Sequence, residues 1–451
     1  MKYREVSKGD TYIILGMSFV FIIGCILFNI SLFLGFLGSI VFSLCVFLKE
    51  GFAIKELVRI MFIGLKECKR LYLFILLIGA TISIWLSSGV VPTMMYYGFE
   101  YMNGMNFLFA SFIVTSLISL FMGTAVGTIS TVGIALLGVG KGFGIPIPIL
   151  LGVIISSAFI ADKISPISGL LNLTLSVTKT KYNKVLRSMI NTLIPTYLIT
   201  GLIYYFIGIK YGIGSDLNLE YYKVAILDGF VVSPYLFLFP VFILSMSVLG
   251  LDIILIVFLG LFGGMVVSFV LQNMSVGSIL YTMVFGYKVG TASSELNNIF
   301  ASGGIMSMVE VVLIVMGAIA LSSLFEGTGL IKPLIDKVLL NIKTKKQLIL
   351  STGLISSLLT IITCDQTVGI VLPARVFKDK YDELGLDQTI LARTISDTGT
   401  IIAPLMPWNV NALIIYVISG VSAMNYAPYA VLCYICPMVT LIVALSYDVE
   451  S

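Results

Sequence analysis

The chain has 451 residues, 58% of them hydrophobic and only 11% charged, with a mean hydropathy of +1.07. No soluble globular domain carries that composition, so the chain is expected to be a polytopic membrane protein. The net charge is only +4 and there is no histidine, which excludes His-ligated zinc, a Ser-His-Asp nucleophile and a histidine proton relay. Six cysteines are scattered along the chain. Cys433 and Cys436 have a redox or zinc spacing, but with no second pair they read as free thiols inside an apolar helix.

Two apolar runs, 11–29 and 31–48, predict the first membrane helices; they are too long for a signal peptide and lack a small-residue cleavage site. Lys2, Arg4 and Lys8 precede them, and Lys49, Lys55, Arg59, Lys66, Lys69 and Arg70 follow, so both flanks are expected on the cytoplasmic side. Residues 50–68 have apolar and charged positions at helical spacing and predict an interfacial helix or a solvated connecting one. A helix at 71–90 then leads to a loop, 91–106, with no basic residue. The apolar run 107–138 exceeds the about 20 residues of one span and is interrupted by Gly123-Thr-Ala-Val-Gly-Thr128. A re-entrant hairpin with its tip at this turn is expected.

The segment 147–176 is apolar enough to cross a bilayer except for Asp162, Lys163, Ser165, Pro166, Ser168, Gly169 and Asn172 in its middle. Ionisable groups at membrane depth are costly and are kept for function, and proline removes a backbone donor, so a broken helix is predicted. The plainer alternative is a Pro-kinked helix with a local Asp162–Lys163 pair. Lys179, Lys181, Lys184 and Arg187 mark a cytoplasmic loop. Helices near 189–208, 229–249 and 252–271 follow, with an outer loop at 210–223 and a more polar external connector at 273–308 that partly re-enters or lies on the surface.

The order then recurs. A helix at 309–326 precedes a run at 347–374 interrupted by Thr363-Cys-Asp-Gln-Thr367, and a run at 388–420 is broken at Ser396-Asp-Thr-Gly-Thr400 and Pro404-Leu-Met-Pro-Trp-Asn409. A charged loop, 375–387, separates the two runs, and a last helix covers 428–446. Asp162 and Asp397 are separated by nearly the same interval as Thr124 and Asp365. Lys332, Lys337, Lys343, Lys345 and Lys346 precede the second hairpin while 413–428 holds no basic residue, the reverse of the first half. Opposite basic bias in two similar units predicts inverted-topology repeats. The expected fold is therefore all-α, with about ten transmembrane helices plus two re-entrant hairpins and both termini cytoplasmic. It divides into N-terminal scaffold helices and a cytoplasmic interfacial segment (1–70), a first repeat (71–187), connecting scaffold helices (188–308) and a second repeat with the final helix (309–446).

Such repeats bring breaks and tips to one midplane site, here Thr124, Thr128, Asp162, Ser165, Asn172, Asp365, Gln366, Asp397, Thr398, Thr400 and Asn409. Three carboxylates, several hydroxyls and freed carbonyls form a hard-oxygen environment suited to Na⁺, with Asp162, Asp365 and Asp397 the candidate metal ligands. Competition between H⁺ and a cation for the same carboxylates is the simplest antiport mechanism, and Lys163 and Arg393 would balance charge in the empty state. Helix packing or capping is the plainer role for each of these residues. There is no HExxH or GxSxG motif, so an enzyme is not expected, and neither a cofactor nor a nucleic-acid partner is expected either. Paired breaks suit alternating access better than a continuous pore.

At these residues the chain resembles the NhaC-type Na⁺/H⁺ antiporters. The resemblance rests on Gly123-Thr-Ala-Val-Gly-Thr-Ile-Ser-Thr-Val-Gly133, Ala161-Asp-Lys-Ile-Ser-Pro-Ile-Ser168, Asp365-Gln-Thr-Val-Gly-Ile-Val-Leu-Pro373, Arg393-Thr-Ile-Ser-Asp-Thr-Gly-Thr400 and Pro407-Trp-Asn409, with Tyr426-Ala-Pro-Tyr429. It implies a bacterial or archaeal plasma-membrane transporter of elevator type, homodimeric, exchanging Na⁺ or Li⁺ for H⁺. Three departures stand out. Ser168-Gly-Leu-Leu-Asn172 replaces the family's usual Ser-Asp-Thr-Thr-Asn, Ala125 and Val126 replace a Ser-Trp pair at the hairpin tip, and Cys364 replaces a glycine. The lost acid and hydroxyls keep a second expectation open, a cation- or proton-coupled transporter or exchanger of a small organic acid or amino acid.

Overall fold

The computed structural model describes residues 6–28, 30–101, 104–211, 219–249, 251–291, 297, 300–331, 338–339 and 342–448, and among them every regular element is a helix. Lys2, Arg4, Lys332 and Lys337, used above as orientation signals, lie outside the described residues. Among the described residues, eight helices are long and apolar enough to cross a membrane, or up to eleven if each of three bent pairs is one span.

The first two predicted helices are Lys8–Leu27 and Leu32–Lys49, and the amphipathic stretch is Ile54–Glu67, with Leu57 buried. The Lys69–Ser87 helix is the hub of this part of the molecule. Its Trp85 indole donates to the Gly260 carbonyl (3.3 Å) in the Ile253–Val270 helix, and its Gly79 abuts Met308 of Gly304–Gly327.

Three expectations are corrected. The loop predicted over 91–106 holds a helix, Val90–Tyr101, whose Met95 and Phe99 are buried against Gly138 and Gly142. Glycines let two backbones approach closely, so tertiary packing rather than hydropathy makes this segment a helix. The helix predicted over 229–249 is found over 234–248, but a further helix, Leu219–Gly229, begins inside the outer loop predicted over 210–223 and meets it at 87°. Pro234 cannot continue a preceding helix, so the bend falls before it. The charged loop predicted over 375–387 is helical as far as Glu383, because Gln366–Glu383 runs through Pro373 and carries a Lys380–Glu383 pair at 2.8 Å. In the 273–308 connector, Val276–Phe285 is a short helix with Ile279 and Thr282 buried.

Both interrupted runs fold back on themselves. In the first, Phe107–Met122 and Ala125–Gly142 are antiparallel arms, since Phe107 at the start of one meets the ring of Phe143 just past the end of the other (centroids 5.1 Å apart). In the second, Lys345–Thr363 and Gln366–Glu383 are joined across the arms by Ser356 Oγ donating to the Gly369 carbonyl at 2.6 Å. The tips are built alike. A left-handed residue (Gly123, φ +67°; Cys364, φ +62°) is followed by an N-cap, Thr124 or Asp365.

Gly123→Ala should cost about 2 kcal/mol or more, because the left-handed conformation disfavours a side chain and the new methyl would lie 2.3 Å from Ile167 Cγ1. Cys364→Gly, which relieves the same strain in the other tip at an entropic cost of similar size, should stay within about 1 kcal/mol of wild type. Thermal unfolding of the purified variants in detergent separates the two outcomes.

Each run with central polar residues is broken as expected. Ile147–Ala158 and Ile160–Ile164 precede an extended Ser165, a turn through Pro166 and a new start at Gly169–Thr178, capped by Ser168. In the second half, Gln388–Ile395 widens into a π-turn at Ser396–Thr400, and the helix resumes at Val410–Ser419 with a 45° bend. Tyr182–Lys210 and the last helix, Val431–Leu445, brace these elements. The Tyr204 hydroxyl bonds Ser156 Oγ (2.6 Å) and accepts from Val431 N (3.1 Å).

Candidate functional site

In each half the hairpin tip sits on the break of the same half. Ser165 Oγ donates to the Leu120 carbonyl (2.7 Å), and Ala125 N points at Asp162 Oδ1 (3.4 Å). The first amides of a helix lack intrahelical partners and carry partial positive charge, which suits a carboxylate there. Asn172 Nδ2 closes the break by donating to the carbonyls of Pro166 (3.0 Å) and Ser168 (2.9 Å). Pro166 supplies no N–H, so a side chain stitches the freed backbone.

In the second half the tip also rests on the break, through other contacts. The Cys364 carbonyl accepts from Val410 N (3.2 Å), and Trp408 Nε1 donates to the Ile361 carbonyl (2.8 Å). Gln366 Nε2 donates to the Thr400 carbonyl (2.5 Å), and Gln366 Oε1 accepts from Asn411 Nδ2 (2.9 Å). Asn411 Nδ2 also reaches Asn409 Oδ1 (3.1 Å), which caps the resumed helix at Asn411 N.

The halves meet at a buried ion pair. Lys163 Nζ lies 2.6 Å from Asp397 Oδ1, with side-chain exposures of 1% and 0%. The last helix completes it: Thr440 Oγ1 donates to Asp397 Oδ2 (2.7 Å) and Cys436 Sγ accepts from Lys163 Nζ (3.2 Å). Lys163 therefore pairs across the halves and not with its neighbour Asp162. Consecutive residues of a helix point about 100° apart, so one faces Asp397 and the other faces away.

Asp162 faces a cavity of about 650 Å³ between the first hairpin tip, the two breaks and the Lys69–Ser87 and Ile253–Val270 helices. Thr124, Asn172 and Asn411 are its other polar lining residues, and Phe74, Met122, Leu251 and Ile256 contribute apolar wall.

Of the predicted site residues, Thr124, Asp162 and Asn172 line this cavity, while Gln366, Thr400 and Asn409 stand behind Asn411. Thr128 and Thr398 bond the carbonyls of Thr124 and Thr394 one turn back, and Ser165 pins the tip. Asp365 caps its helix at Thr367 N (2.9 Å) and does not line the cavity. The three aspartates do not share one site: among the described residues no three acidic, cysteine or histidine side chains gather to hold a metal. Arg393 is buried against Tyr447, with its guanidinium 5.9 Å from the ring centroid and no carboxylate in ion-pair range among the described residues. Sequence reasoning missed Asn411, Cys436 and Thr440. Asn411 stands two residues beyond a chosen one, whereas Cys436 and Thr440 sit in an apolar helix and gain meaning only from packing.

Comparison with known proteins shows what the chain is similar to. Residues 157–446 match the model of the Na⁺/H⁺ antiporter family. The chain is 28% identical, over 91% of its length and 92% of the relative's, to a malate-2H⁺/Na⁺-lactate antiporter of Bacillus subtilis (strain 168). It is also 28% identical to the Na⁺/H⁺ antiporter NhaC of the same organism, over 87% of each chain. A third relative, the arginine/ornithine antiporter ArcD of Halobacterium salinarum, is 27% identical over 83% of this chain and 78% of its own. The chain is a multi-pass membrane transport protein, not an enzyme, and it belongs to the Na⁺/H⁺ antiporter family.

Proposed function

We propose that the protein exchanges Na⁺, or Li⁺, for H⁺ across a bacterial or archaeal plasma membrane by alternating access, with Asp162 as the group that carries either cation. The observation that carries this reading is the isolation of Asp162. It is the one aspartate of the three on the cavity, and the neighbouring lysine is already paired with Asp397. A carboxylate without a fixed countercharge in a buried site needs a proton or a cation, and the two exclude each other. Thr124, Asn172 and Asn411 supply neutral oxygens for a hard cation. Lys163 and Asp397 hold the halves together, and Arg393, four residues before Asp397, contributes positive charge on that element.

In this proposal the two halves are inverted repeats whose tips enter the membrane from opposite faces. The hairpins and broken helices, 71–187 and 309–446, move as an elevator against the scaffold of 1–70 and 188–308, in a homodimer with both termini cytoplasmic. The matching tips and breaks support the repeat. The cavity, walled partly by Leu251 and Ile256 of the 188–308 scaffold, supports a surface along which the site slides.

A second reading, coupled exchange of a small organic solute, is favoured by the cavity volume and apolar walls and by relatives named for malate, lactate, arginine and ornithine. Liposomes with an imposed pH gradient and an internal pH dye test the first reading. Na⁺ or Li⁺ should restore dye signal and K⁺ should not. No response to any of the three would leave the organic-solute reading in its place.

A further inference from the structure

The cavity's hydrogen-bonding polarity follows from the groups behind it. Asn172 faces two backbone carbonyls, of Pro166 and Ser168, so its NH₂ group is committed and its Oδ1 remains. The Thr400 carbonyl fixes Gln366 with its NH₂ toward that backbone, which turns Gln366 Oε1 to Asn411. The Asn409 Oδ1, fixed by its cap on Asn411 N, faces Asn411 as well. Asn411 must therefore present its NH₂ to both, and its Oδ1 is what remains. With the Asp162 carboxylate, the cavity offers three acceptor groups, plus the Thr124 hydroxyl. Among the described residues no lysine or arginine lines it.

Two further features bear on size. A cavity of about 650 Å³ far exceeds a bare Na⁺, and Phe74, Leu251, Ile256 and Met122 give it apolar wall beside the acceptors. A lining that combines hydrogen-bond acceptors with aromatic and aliphatic side chains matches a cation that carries an alkyl tail. An ammonium donates three hydrogen bonds and has no use for a donor, whereas a carboxylate would meet only acceptors and a like charge.

We infer that this cavity takes small primary alkylammonium ions, with the ammonium on Asp162 and the tail along Phe74 and Leu251, in competition with Na⁺. This rests on the proposal that Asp162 binds the transported cation. The test is binding to purified, detergent-solubilised protein, because a neutral amine crosses liposome membranes unaided. Calorimetry with n-butylammonium chloride, sodium butyrate against a sodium chloride baseline, and sodium chloride alone gives the affinities. Butylammonium should bind and weaken Na⁺ binding competitively, and butyrate should add nothing. Asp162→Asn should lose both cations while keeping its size-exclusion profile. Phe74→Ala should weaken butylammonium roughly tenfold and Na⁺ by less, a split that a general loss of folding would not give. Na⁺ binding without butylammonium binding, or butyrate binding as tight as butylammonium, would overturn this inference and leave cation exchange standing. Binding of neither cation would overturn both.

Discussion

Asp162→Asn should lower cation-coupled proton movement by at least about 100-fold while leaving the protein folded. The amide matches the carboxylate in shape and can still accept from Ala125 N, so the tip and break should keep their arrangement. The side chain loses the charge for which H⁺ and Na⁺ are proposed to compete, and among the described residues no other carboxylate lines the cavity. Asp365 is engaged as a helix cap and Asp397 by Lys163 and Thr440. Removing a buried charge also removes its desolvation penalty, so thermal stability should hold or rise. Dye-based exchange and a melting curve on the same preparation check both halves of the expectation. Normal exchange by the variant would remove Asp162 from the centre of the account.

The second large effect is on folding. Lys163→Met or Asp397→Leu alone leaves one charge buried at 1% exposure or less without its partner, which should cost about 3–5 kcal/mol. The double variant removes both charges and should recover most of that loss, since apolar replacement of a buried pair is often neutral. The Thr440 hydroxyl and the Cys436 thiol would then each lose a partner, so recovery should fall short by about 1 kcal/mol. Chemical denaturation of the four proteins in one detergent gives the coupling energy. Single variants as stable as wild type would show that the pair does not hold the halves together.

The hairpin tips and the breaks were legible in the sequence because their signals are local. Gly123, Pro166 and Asn409 interrupt long apolar runs, and a backbone that leaves the helix in such a run needs these residue types. The matching positions of Thr124 and Asp365 were legible too, from the interruptions in which they sit. Two residues at matching tip positions perform the same task, capping the next helix, and this explains why Asp365 is spent locally instead of joining Asp162. The partner of Lys163 was not legible, since adjacency to Asp162 says nothing about which way each side chain points on a helix. The Val90–Tyr101 helix was missed because what stabilises it, close contact with Gly138 and Gly142, lies some forty residues away. Cys436 and Thr440 illustrate the same limit, as an apolar helix gives no local sign of which residue meets a buried charge.

If one carboxylate serves both ions, the pH dependence of Na⁺ binding reveals it most directly. Apparent Na⁺ affinity of the purified protein would be measured by calorimetry at successive pH values, with proton release followed in two buffers of different ionisation enthalpy. Direct competition predicts that affinity weakens about tenfold for each pH unit of acidification once Asp162 is protonated, with up to one proton released per Na⁺ bound. Na⁺ affinity that stays constant across that range, with no proton released, would contradict it.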